Sequence, residues 1–209
     1  MKILDCTLRD AGYYSNWQYT DSEILDYCNI VNTLDVDMVE LGYRNPPDDI
    51  YKGSLYYCPT IILKKFSRLL NKDIEKYLML DLKVIQDIEL TVSRLKSVSK
   101  YITGVRIAVD ASKISKLNQL ISSIKSNNLK VCINLMYGHK YLNNELSFDD
   151  VKNNLNDDYF DVFDNSFNTF DEEDDGWKCD TPLPTSLTRK VFAHESILAK
   201  PFCGRPVYM

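Results

Sequence analysis

Nowhere does this 209-residue sequence run to about 18 consecutive apolar residues, so no segment is built to cross a bilayer as a helix. Basic residues never gather into a block. The 25 Lys and Arg are outnumbered by 30 Asp and Glu, and a formal net charge of −5 provides no electrostatic footprint for nucleic acid. Neither G-x-G-x-x-G nor G-x-x-x-x-G-K-[ST] occurs, which leaves a nucleotide-binding doubly wound domain without its phosphate loop. The cysteines, Cys6, Cys28, Cys58, Cys132, Cys179 and Cys203, include no C-x-x-C pair, and the opening apolar run meets Asp5 too soon to form the core of an export signal. Reduced thiols and a cytoplasmic location are therefore expected, with neither nucleic acid nor membrane as a partner.

What is present is an alternation. With 44% hydrophobic and 26% charged residues, the chain can bury a core. Apolar runs at 3–8, 38–42, 77–82, 104–109, 130–136 and 159–163 read as strands. Between them, apolar residues at helical spacing mark helices at 21–33, 61–70, 85–98, 114–124 and 148–155, the first capped by Thr20 or Asp21. Pro46 and Pro47 stop regular structure after the second strand and open a longer loop. Strands separated by helices pair in parallel through crossovers, so about six βα units imply an α/β fold, either a (β/α)8 barrel or a doubly wound sheet. After Phe163 the alternation fails. An acidic cluster at 171–175, Pro182 and Pro184, and one helical stretch at 186–200 make up the remainder. The expected organisation is thus an incomplete barrel-type domain over 1–166 and an irregular tail over 167–209.

Ligands of parallel α/β folds sit at the carboxyl ends of the strands, which selects the candidate polar residues. They are Arg9 and Asp10, Glu40 with Tyr43 and Arg44, Asp81, Arg106 and Asp110, Asn134 with His139, and Asp164 with Asn165. Arg and Asp resist burial unless paired, so Arg9 and Asp10 either close a salt bridge or face a ligand. An Arg, an Asp and a Glu from neighbouring strands can share one chemistry: Asp10 binding a divalent cation, Glu40 holding the Arg9 fork, and Arg9 stabilising an enolate or oxyanion.

The run Leu4-Asp5-Cys6-Thr7-Leu8-Arg9-Asp10 together with Val39-Glu40-Leu41-Gly42-Tyr43-Arg44 resembles the two opening strands of the HMG-CoA-lyase-like, or DRE-TIM, metallolyases. The loop Ala11-Gly12-Tyr13-Tyr14-Ser15-Asn16-Trp17 is similar to that of the 4-hydroxy-2-oxovalerate aldolase-like branch, and the likeness continues in order through Tyr51-Lys52-Gly53, Tyr56-Tyr57-Cys58-Pro59, Val105-Arg106-Ile107-Ala108 and Ile133-Asn134-Leu135-Met136. The resemblance implies a TIM barrel, a Mg²⁺ or Mn²⁺ ion, and carbon–carbon bond cleavage or formation on a 2-oxo acid through a pyruvate-like enolate. It implies Asp10 as metal ligand, Arg9 as the enolate-stabilising arginine and Glu40 as its acidic catalytic partner; of the other strand-end residues, Tyr43, Arg44, Arg106 and Asn134 are the substrate-binding candidates.

Three departures accompany the likeness. The family's His-x-His metal pair has no counterpart, since the two histidines, His139 and His194, lie far apart. Tyr13 and Tyr14 stand where the bacterial aldolases carry their acid/base histidine; Tyr14 is the candidate for that role, although a tyrosine with a pKa near 10 is a poor base at neutral pH. Ala11 replaces a usual glycine. The alternative expectation is accordingly a truncated or degenerate barrel, inactive by itself and serving as a binding or assembly module. Under either reading the open strand edges call for self-association or a partner subunit.

Overall fold

The computed structural model describes residues 2–47, 49–110, 117–136 and 162–164. Six strands form one sheet: β1 (Leu4–Asp5), β2 (Met38–Tyr43), β3 (Glu75–Asp81), β4 (Gly104–Asp110), β5 (Lys130–Met136) and β6 (Val162–Asp164). All pairings are parallel, and spatial order follows chain order. A doubly wound sheet reverses its direction at a switch point, whereas this one adds each strand on the same side of the last, as a barrel does. Among the described residues β1 and β6 do not pair, so the sheet is an open, barrel-like arc, consistent with an incomplete TIM-barrel-like fold.

Helices α1 (Thr7–Ser15), α2 (Asp21–Val31), α3 (Ser54–Tyr57), α4 (Thr60–Leu69), α5 (Ile88–Lys96) and α6 (Leu117–Lys125) connect the strands. Each crossover helix buries one stripe. On α6 the stripe is Leu117, Leu120, Ile121 and Ile124, at the spacing of a single helical face. Helix α2 begins with a reciprocal capping box: Thr20 Oγ1 accepts from Glu23 N at 3.2 Å, and Thr20 N donates to Glu23 Oε2 at 2.7 Å. The main core lies between these stripes and the outer face of the sheet, where Val39, Leu41, Leu78, Leu80, Ile107 and Val131 are buried. A smaller cluster, Leu4, Met38, Tyr77 and Cys132, lines the inner face. No helix among the described residues is long and apolar enough to cross a membrane.

The opening of the chain departs from expectation. The strand at 3–8 is only Leu4–Asp5, and Arg9 and Asp10 lie within a helix rather than directly at the end of a strand. Asp5 causes the change of direction, accepting from Thr7 N at 3.2 Å and from Thr7 Oγ1 at 2.8 Å, after which Asp10 N donates to Cys6 O at 2.9 Å. Leu8, Arg9 and Gly12 then share the buried face of α1, a helical period that a short apolar run conceals. Helix α3 interrupts what reads as plain loop. The expected helix at 148–155, the first residues of the sixth strand, the tail at 167–209 with its acidic cluster and helix, and His139, Asn165, His194, Cys179 and Cys203 lie outside the described residues.

Candidate active site at the strand mouth

Side chains alternate along each strand, so the residues two positions beyond the small inner cluster point into the arc nearer the carboxyl ends. Glu40 follows Met38 in this way, and Asn134 follows Cys132. Arg106 lies beside Cys132 in register. Glu40 is completely buried (0% exposed) between two arginines that are themselves buried. Its Oε2 accepts from Arg9 Nε at 2.8 Å and from Arg106 Nη1 at 3.1 Å. Asp10 sits at the lip, its side chain 58% exposed, with Oδ1 2.5 Å from Arg9 Nη1. Two guanidiniums thus face two carboxylates, one deep and one near solvent.

Burying charge is costly unless it is paired and hydrogen-bonded, and the ionisation of each group follows from this arrangement. Burial opposes the charge on Glu40, yet Arg106 and Arg9 outweigh it and hold the carboxyl below its ordinary range. Asp10 moves the other way. The protein around it pushes its carboxyl up, Arg9 pulls it down, and the Glu40 charge raises it again, leaving it above the usual value. Burial alone would lower Arg9, but Glu40 and Asp10 more than offset this and keep it charged. Burial, followed by the Glu40 charge, also raises the thiol of Cys6, whose Sγ lies 3.8 Å from Arg106 Nη1.

Above this centre lies an aromatic layer. The register slips between Glu40 and Tyr43, where Gly42 takes φ +154°, and the slip sets Tyr43 against α1. A Cβ on Gly42 would come within 2.2 Å of Leu55 O, so the bulge requires glycine. Tyr43 and Tyr13 share a hydroxyl–hydroxyl hydrogen bond of 2.9 Å. Trp17 packs edge-on to both rings and donates from Nε1 to Arg9 O at 3.1 Å, tying the layer to the arginine below.

The structure therefore brings Arg9, Asp10, Glu40 and Arg106 together, with Tyr43 adjoining. Asn134 is buried on β5 beside Ala108 and Asp164 in register, and its Nδ2 lies 3.8 Å from Met136 Sδ. Arg44 is engaged elsewhere, its Nη1 donating to Tyr57 O and Cys58 O and its Nη2 to Arg94 O. Tyr14 points to solvent at 81% exposure. Asp81 caps its own turn through Lys83 N, and the side chains of Asp110 and Asp164 lie outside the described set. Two contributors were missed by sequence reasoning. In the sequence Cys6 is one reduced thiol among several, and Tyr14 rather than Tyr13 is the acid/base candidate. The position of Tyr13 four residues after Arg9, on the same helix face, is the signal that identifies it.

Among the described residues no three His, Cys, Asp or Glu side chains group as a metal site. Asp10 is a single carboxylate already bonded to Arg9, so these residues alone do not fit the oxygen cage that Mg²⁺ or Mn²⁺ requires. What they do supply is a buried guanidinium fixed in orientation between a deep carboxylate and one at the lip, a device suited to developing negative charge.

Fold and site together define a barrel-like α/β chain with an arginine–carboxylate centre at the carboxyl ends of its strands. Among solved structures it is similar to the N-terminal domain of a "putative aldolase" from Bacteroides vulgatus, with a TM-score of 0.66 and 32% identity over 78% of this chain and 53% of that one. The chain spans about half the length of that solved structure. No family model matches the chain, and no curated protein matches it.

Proposed function

We propose that this chain forms the enolate-stabilising part of an aldolase or related carbon–carbon lyase acting on a 2-oxo acid. The observation that carries the reading is Glu40 buried between Arg9 and Arg106 at the strand mouth. A carboxylate held below its ordinary range keeps both guanidiniums in place before substrate arrives, so little reorganisation is needed when negative charge develops. In this reading Arg9 faces the enolate oxygen, Arg106 and Asn134 help to define the substrate cavity, and Glu40 orients the arginines. Asp10 is the carboxylate at the lip from which a Mg²⁺ or Mn²⁺ ion would be held. Because Asp10 stands without companion ligands among the described residues, any such ion draws its other ligands from substrate, water or further chain. Among the described residues β1 and β6 are the edges of the sheet, and there a second copy or a partner subunit would add strands.

The direct test is pyruvate release from 4-hydroxy-2-oxopentanoate with Mg²⁺ or Mn²⁺ present, followed by NADH oxidation through lactate dehydrogenase. Arg9→Ala should abolish release. No release from the unaltered protein, together with retained binding of oxalate, an enolate mimic, would favour the binding-module alternative.

A further inference from the structure

The aromatic layer contains one feature that orientation of the arginines does not use. Tyr43 is buried at the end of β2, and its hydroxyl is bonded to that of Tyr13, which is 60% exposed on α1. Of the two adjacent tyrosines in the 11–17 loop motif, it is thus Tyr13 that reaches the centre. Two phenols in contact, one buried beside the arginine centre and one at the surface, form a hydrogen-bonded path for a proton between that centre and water.

Resting on the 2-oxo acid reading above, we propose that Tyr43 and Tyr13 form a proton relay, with Tyr43 delivering the proton to the enolate carbon and Tyr13 restoring it from solvent. In the cleavage direction the new C–H bond forms as the Tyr43 O–H bond breaks. The Tyr13 proton passes to the Tyr43 phenolate, and water reprotonates Tyr13. The hydroxide left behind neutralises the proton released when the substrate hydroxyl becomes the aldehyde, so turnover neither consumes nor yields protons. Burial keeps the Tyr43 hydroxyl above the ordinary phenol value although Arg9 acts to lower it, and Tyr43 therefore enters the reaction protonated. The bland alternative is that the two hydroxyls merely satisfy each other.

The experiment follows proton exchange rather than bond cleavage. The full chain is incubated with pyruvate and Mg²⁺ in D₂O, loss of the methyl proton signal is followed by NMR, and oxalate affinity is measured by calorimetry on the same samples. Tyr43→Phe should slow exchange by about 10²-fold or more and Tyr13→Phe by about tenfold, with oxalate affinity within about twofold of the unaltered protein. Tyr51→Phe, an exposed aromatic outside the pair, should leave exchange unchanged. Exchange that persists in Tyr43→Phe overturns the relay alone, as does a loss of exchange matched by an equal loss of oxalate affinity. An unaltered protein that neither exchanges pyruvate nor binds oxalate overturns the 2-oxo acid reading beneath it.

Discussion

Arg106 on β4 and Glu40 on β2 meet at 3.1 Å although β3 lies between their strands and 66 positions separate them in sequence. The contact spans the inside of the arc, so it exists only once three strands are in register.

Removing Glu40 is expected to be severe. Glu40→Ala takes away the buried carboxylate that joins the two guanidiniums, and loss of one partner of a buried pair costs about 3–5 kcal/mol. Urea denaturation should show that loss as a lower midpoint with an unchanged slope. A loss below about 1 kcal/mol would mean that the arginines are not held as described.

The acid limb of stability should carry opposite signatures from the two carboxylates. Glu40 has a lowered folded-state pKa, so its contribution is complete above the unfolded value, near 4.3, and is lost as pH falls through the folded value. Asp10 has a raised folded-state pKa, so it favours the folded state below its unfolded value, near 3.9, and that preference disappears as pH rises through the folded value. Asp10→Asn should therefore steepen the rise of stability with pH just above 3.9. Unfolding free energies measured between about pH 3 and 6 check this sign, and a shallower rise would contradict it.

Gly12 lies inside α1, where alanine ordinarily improves a helix by about 1 kcal/mol. Here a Cβ would fall 2.0 Å from Trp17 Nε1, displacing the indole that bonds Arg9 O. Gly12→Ala should therefore lose about 1–3 kcal/mol by overpacking. Thermal unfolding reads the result, and a gain in midpoint would show that the indole yields easily.

Arg44 gives a contrast with Arg9. Its guanidinium holds the carbonyls that end α3 and one from α5, so Arg44→Met should cost about 2–3 kcal/mol of stability through lost charged hydrogen bonds. Oxalate affinity should be unchanged. A weakened affinity in a fully folded variant would return Arg44 to the substrate site.

The sequence by itself determined the strand–helix alternation and the suspicion attached to Arg9, Asp10 and Glu40. Parallel strands buried on both faces read as nearly continuous apolar runs, and a charge inside such a run requires a partner wherever it ends up. Tertiary structure alone decided which partners meet. Asp5 turned the chain into a helix two residues after β1, and that helical period brought Tyr13 rather than Tyr14 to the centre. The bulge at Gly42 aimed Tyr43 at the same point, while Arg44, one residue later, was drawn to the carbonyls of α3. Local pattern fixes which face a residue takes within its own element. Which residues from different elements share a pocket depends on register and on single turns, and no local window contains that information.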